Sequence, residues 1–245
     1  MRLAFRIVAG VFGVFTLATS VPFAIGSLVD EEQDIHLIHN LSGVAVYGVI
    51  LGVGLIALAA RPEGYVAVLQ GVALAAVGAL IGGLLAGDLI EGLWIVVPVV
   101  VLVLVVLYPG RAALARVGRL NPGLLVLVVA AAIPLIAYAL TQASLQANGS
   151  DLDPHVDAHH YGGQAVGSLM MLLFAVAPAL GAAGWRLAAW MVGISMAIIA
   201  VGSLAYADHV SALDTPWAWL ALAWAVAYVG VAEVAARRTR PVAVT

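Results

Sequence analysis

Charged side chains in this chain are confined to short intervals, and between them run eight apolar stretches of roughly 20 residues each. That spacing constrains the fold more than any single motif. A helix needs about 20 mostly apolar residues to cross the hydrocarbon of a bilayer. No water is present at that depth to bond the backbone, so runs of this length are helical. Membrane-crossing strands alternate polar and apolar residues, and these runs do not. Only 9% of the 245 residues are charged, against about a quarter in a soluble domain. The pattern predicts helices over about 5–28, 37–60, 65–86, 90–108, 122–145, 159–180, 186–206 and 215–235. Turns are marked by Arg61-Pro62-Glu63-Gly64 and by Gly181 and Gly184, and the longest polar stretch runs from Gln146 to Asp157.

The charges between the runs are sorted by sign. All ten basic residues are Arg. They fall before the first run (Arg2, Arg6), after the second (Arg61), fourth (Arg111, Arg116, Arg119) and sixth (Arg186), and after the eighth (Arg237, Arg238, Arg240). Under the positive-inside rule this pattern predicts that both termini are cytoplasmic. Eleven of the 13 acids, all but Glu63 and Glu233, fall on the opposite side, as do all six histidines. Arg2, Arg6 and the small residues Ala18-Thr19-Ser20 have the outline of a signal peptide. The apolar run continues to Val29, however, which is long for a cleaved segment, so the first helix is predicted to be retained.

A shift of 120 residues aligns the two halves without a gap from His39 to Asp88. His39 falls on His159, Gly43 on Gly163, Gly64-Tyr65 on Gly184-Trp185, and Asp88 on Asp208. Matches of Ala, Val and Leu are expected in such a composition, whereas His and Asp are rare here. The alignment predicts an all-α membrane fold of two tandem, parallel four-helix repeats, residues 1–120 and 121–245, related by an axis along the membrane normal.

The repeat singles out a His at the start of an even-numbered helix and an Asp two helices later. His39 and Asp88 form that pair in the first half, with His36 and Glu91 nearby. His159 and Asp208 form it in the second, with His155, His160 and His209 added. His36 and His39, spaced i, i+3, share a helix face, as do His155 and His159 at i, i+4 if the helix starts early. Imidazole and carboxylate without any cysteine suit Zn, Cu(II), Fe or Mn. His159, His160 and His209 are predicted to converge in the second half, with Asp208 as ligand or orienter. A structural reading stands beside this. Asp34, Asp157 and Asp208 are placed to cap helices, and Asp88 with Glu91 resembles a capping box. Tyr138, Gln142 and Gln146 form an i, i+4, i+8 stripe expected to face the bundle interior, where it would serve as helix–helix glue. The four methionines Met170, Met171, Met191 and Met196 read as packing. No phosphate loop, nucleophile elbow or His-Glu-x-x-His motif is present, and no basic patch for nucleic acid.

Two tandem four-helix halves, with histidines near the outer ends of even-numbered helices, resemble the layout of the haem A synthase family. Asp34-Ile-His36-Leu-Ile-His39-Asn40 is similar to the family's acidic-x-x-His segment. The resemblance implies haem held by histidines, with His39 in the first half and His159 and His209 in the second. Helix four departs from the family, since it opens with Asp88 and Glu91 and has no histidine. The chain is also similar to small multi-pass membrane proteins of high-GC bacteria. The expectation is a bacterial inner-membrane protein with a His/carboxylate site for a transition metal (Zn, Cu or Fe) or haem at its outer face. A cation or proton transporter component and a cofactor-free assembly partner of other membrane proteins are the alternatives.

Overall fold

The computed structural model describes residues 1–29, 36–150 and 152–238. Its principal helices are α1 (Arg2–Val29), α2 (Leu37–Ala60), α3 (Val66–Ala86), α4 (Val96–Leu107), α5 (Pro122–Asn148), α6 (His160–Ala179), α7 (Trp185–Ala205) and α8 (Thr215–Arg238). No strand occurs among the described residues. Seven of the helices, all but α4, are long and apolar enough to cross a membrane. The chain is therefore an all-helical, multi-pass membrane protein. The fourth predicted run begins with turns at residues 87–95, and Leu93 adopts a left-handed backbone (φ 58°), so the helix starts six residues later than expected. Its 12 residues span about 18 Å at 1.5 Å per residue, short of a hydrocarbon core about 30 Å thick.

The helices fall into an inner and an outer set. In its most apolar stretch α6 is 83% buried, and α1, α5 and α8 are only 22% buried. The inner helices α2, α3, α6 and α7 hold the core, where Met170, Met171, Met191 and Met196 are packing residues. The most extensive contact is α3 against α6. A side chain at Gly78 would lie 2.6 Å from the backbone of Leu169, so only glycine lets these two helices approach so closely. Small residues serve this purpose in membranes because apolar side chains gain nothing by leaving lipid. Between Val44 and Val53, α2 widens into a π-helix, a winding often found at functional sites.

The polar stripe of α5 joins helices at one end of the bundle. Tyr138 donates to the Ser211 carbonyl (2.7 Å), and Gln142 accepts from the Ser211 hydroxyl (2.8 Å). Gln146 donates to the Val156 carbonyl (2.9 Å) and accepts from the Gly162 amide (3.0 Å). These bonds fix the segment that leads into α6. The capping expectations need correction. The residue preceding α6 is His159, which makes no side-chain cap, and Asp157 instead ends a short helix, Pro154–Asp157, that Asp153 caps. Turns follow Asp88 and Asp208, so neither begins a helix. Asp34 lies outside the described residues.

Candidate functional site

Two helix starts, one from each half of the chain, bring four imidazoles together. His36 and His39 come from the start of α2, His160 from the start of α6, and His155 from the short helix before it. His36 packs on His160 with ring centres 4.4 Å apart and on His155 at 5.2 Å. His39 packs on His160 at 4.8 Å and on His155 at 5.1 Å, and His155 lies 6.1 Å from His160. His39 and His155 are buried.

Each ring is placed by neighbours. The sequence Asp153-Pro154-His155 has the form of a helix start, with Asp at the cap and Pro at the first turn. One Asp153 carboxylate oxygen accepts from the His155 backbone amide at 2.9 Å and meets His155 Nδ1 at 3.1 Å. Its other oxygen accepts from the Tyr161 hydroxyl at 3.2 Å. These bonds, the backbone amide foremost, hold the Asp153 carboxyl below its ordinary range. The carboxylate therefore keeps the proton of His155 on Nδ1. On the other side of the cluster, His39 Nδ1 meets the Gln164 side-chain nitrogen at 3.3 Å. Burial, with the neighbouring His155, pushes the His36 imidazole below its ordinary pKa. The ring is neutral at pH 7, as a ligand must be.

Three buried nitrogens in this cluster have no hydrogen-bond partner: His36 Nδ1, His39 Nε2 and His160 Nδ1. An unsatisfied buried polar atom costs roughly 1–3 kcal/mol. All three lie within one cluster of rings. As the side chains stand, no group of three or more His, Asp or Glu among the described residues is arranged to hold a metal ion.

His159 takes a different role from its neighbour. Its backbone is left-handed (φ 56°), which turns its side chain away from the His160 direction. Its Nδ1 lies 3.4 Å from Asp88 Oδ2, within ion-pair reach but without hydrogen-bond alignment. Asp88 is buried and accepts from the Trp94 indole at 3.1 Å. Burial raises its carboxyl above the ordinary range, and the Trp94 bond and His159 oppose that shift. Gly162 makes room for this carboxylate, since a side chain there would lie 2.2 Å from Asp88 Oδ2.

Of the predicted site residues, His36, His39 and His160 come together, with His155 as the fourth ring. Asp88 meets His159 of the other half rather than His39 of its own. Asp208 and His209 lie in the turns after α7, where the His209 ring packs edge-on against Tyr206 at 5.3 Å. His160 thus joins the four-ring cluster, His159 lies beside Asp88, and His209 packs on Tyr206. Asp153, Gln164 and Trp94 are the residues that the sequence did not assign to the site. Of these, Asp153 carried a signal in its cap-then-Pro spacing, and Gln164 in lying one helical turn from His160.

No family model matches this chain, and comparison with curated proteins and with solved structures finds no similar one. The resemblance to haem A synthases therefore stands on layout alone.

Proposed function

We propose that this protein binds a transition-metal ion among His36, His39, His155 and His160, at the outer end of an eight-helix bundle in a bacterial inner membrane. The observation that carries this reading is the set of three unpartnered, buried imidazole nitrogens in one four-ring cluster. A ligand imidazole places its nitrogen about 2.0–2.1 Å from the ion, so tetrahedral partners have ring centres about 5 Å apart. Here the centres lie 4.4 to 6.1 Å apart. Turning the rings about their own side-chain bonds, with little backbone movement, is the adjustment the ion requires. Asp153 on His155 and Gln164 on His39 are the outer partners that orient ligand rings. For His39 this requires the Gln164 amide to present its oxygen, leaving the Nε2 lone pair for the metal. Haem is the weaker fit, because these rings touch one another and leave no slot for a macrocycle between them.

The same reading takes α4 as a short eighth crossing and both termini as cytoplasmic, following the Arg distribution. The division into inner α2, α3, α6, α7 and outer α1, α4, α5, α8 favours two tandem repeats, since each half contributes its second and third helices to the core. A coupled transporter is the poorer fit, because no acid or base falls in the middle of an apolar run.

The test is metal analysis of protein purified in detergent and equilibrated with Zn(II) or Co(II). The expected result is one ion per chain, with Co(II) bands of a tetrahedral nitrogen site. His39→Ala and His155→Ala should lose it, and Asp153→Asn should weaken it about 10–100-fold. Metal bound below a tenth of an equivalent, or binding unchanged in both alanine variants, overturns the proposal.

A further inference from the structure

Directly below the histidines lies a cavity of about 370 Å³ between α1, α2, α4 and α6. The volume falls within the roughly 300–1,000 Å³ of small-molecule sites. Its walls are apolar and aromatic, and along α2 they run from His39 to Leu55, a length of roughly 20 Å. Phe15 and Phe23 of α1 line it and are otherwise 60% and 65% exposed, so it opens sideways toward lipid rather than toward water.

Thr16, Thr19 and Ser20 of α1 line the cavity too, but their hydroxyls bond carbonyls of their own helix, which leaves the unpartnered hydroxyls on α2. Ser42 and Tyr47 line the cavity there, and both hydroxyls are buried without a hydrogen-bond partner. Ser42 is only 8% exposed. His159, paired with Asp88, lines the histidine end. No Arg lines the cavity, and the chain has no Lys, so an anionic phosphate head would find no counter-charge. Two free hydroxyl donors instead suit a neutral head with carbonyl oxygens, flat enough to lie beside Trp94 and Tyr47.

We infer that this cavity binds an isoprenoid quinone from the bilayer, with its carbonyl oxygens at Ser42 and Tyr47 and its tail leaving past α1 into lipid. This inference does not require the metal reading: His39 and His160 line the cavity, but Ser42 and Tyr47, which would bind the carbonyls, stand outside the four-imidazole cluster.

The experiment is a titration of the purified protein with a benzoquinone carrying a ten-carbon tail, followed by Trp94 fluorescence against a Trp94→Phe control. Saturable quenching with micromolar affinity is expected. The pair Ser42→Ala and Tyr47→Phe should weaken it at least tenfold, and Val97→Trp, which fills the cavity from α4, should abolish it. His155→Ala should lose the metal and leave quinone binding intact, so the two proposals fail separately. The same quenching in the Ser42/Tyr47 double variant would overturn the inference. So would a bound phospholipid that the quinone cannot displace, which would make the cavity an acyl-chain groove.

Discussion

The two ends of this bundle treat titratable side chains in opposite ways. At the Arg-rich end, Arg2 meets Glu63 at 2.6 Å, and Arg186 meets Glu233 through two bonds of 2.6 and 2.7 Å, with Trp190 adding a third. Both arginines lie at the surface with their charges matched. At the His-rich end, His39, His155 and Asp88 are drawn inside, and five imidazole or carboxylate atoms are left without a hydrogen-bond partner. The first arrangement leaves each charge matched and in contact with solvent. The second is unfavourable unless a ligand, ion or water completes it.

The contrast depends on α3 and α6 holding their spacing, and a wedge between them is the largest expected effect. Gly78→Leu puts a side chain into the Leu169 backbone, which cannot yield as a flexible side chain would. The destabilisation should exceed the 1–3 kcal/mol usual for overpacking. Loss of the monodisperse protein in detergent, together with loss of metal binding, is the expected readout. A stable variant that kept its metal would show that the His-rich end is assembled independently of this contact.

The next effect is confined to one end. Asp88→Ala removes the acceptor of the Trp94 indole and the partner of His159. A loss of about 1–3 kcal/mol is expected, measured as a lower thermal midpoint, because the Trp94 indole loses its acceptor and His159 loses the carboxylate beside it. Asp88→Asn keeps an acceptor for Trp94 and should recover part of that loss. Equal midpoints for the two variants would mean that the charge, not the hydrogen bond, matters at this position.

Much of the fold was legible because each element announces itself locally. The predicted 37–60 and 186–206 are observed as Leu37–Ala60 and Trp185–Ala205, since apolar length and Gly or Pro punctuation decide both ends. The run at 90–108 misled because Gly92 and Leu93 turn the chain inside an otherwise apolar stretch, a tertiary choice that hydropathy does not register. The candidate site was legible only in its residue types. The sequence predicted His159 and His160 in one cluster, yet they are neighbours in the chain and separated by the left-handed backbone of His159. Pairing of His36 and His39 with residues more than 100 positions away follows from α2 packing beside α6, and no local period encodes it.

Acid should separate the two ends more gently. Metal-free His36 is neutral at pH 7, and burial keeps its pKa below the ordinary value of about 6.5. A base whose folded pKa is depressed contributes stability that is present above 6.5 and lost as the pH falls toward the folded value. The thermal midpoint of the metal-free protein should therefore fall as the pH drops below 6.5. His36→Gln should reduce that slope without abolishing it. A slope unchanged by the substitution would assign the acid sensitivity to another group.

The smallest effect is expected at the opposite end, where Arg186 and Glu233 make the best-formed ion pair among the described residues. Two short parallel bonds look strong on distance alone. Both side chains reach the surface, however, and an exposed pair gains little over its separate contacts with water. The pair also joins α7 to α8, helices already packed closely where Gly193 faces Ala225 and Val229. Glu233→Gln keeps the shape and the acceptor for Trp190 while removing the charge. Its thermal midpoint should match the parent within error, and metal binding should be unchanged. The reverse substitution at Arg186 tests direction rather than stability. Arg186→Glu removes the single Arg of its loop, and orientation follows the sum of such loops, so the remaining nine Arg should hold the topology. A large loss of stability in Glu233→Gln would erase the distinction between the ends, because a matched surface charge would then matter as much as an unmatched buried one.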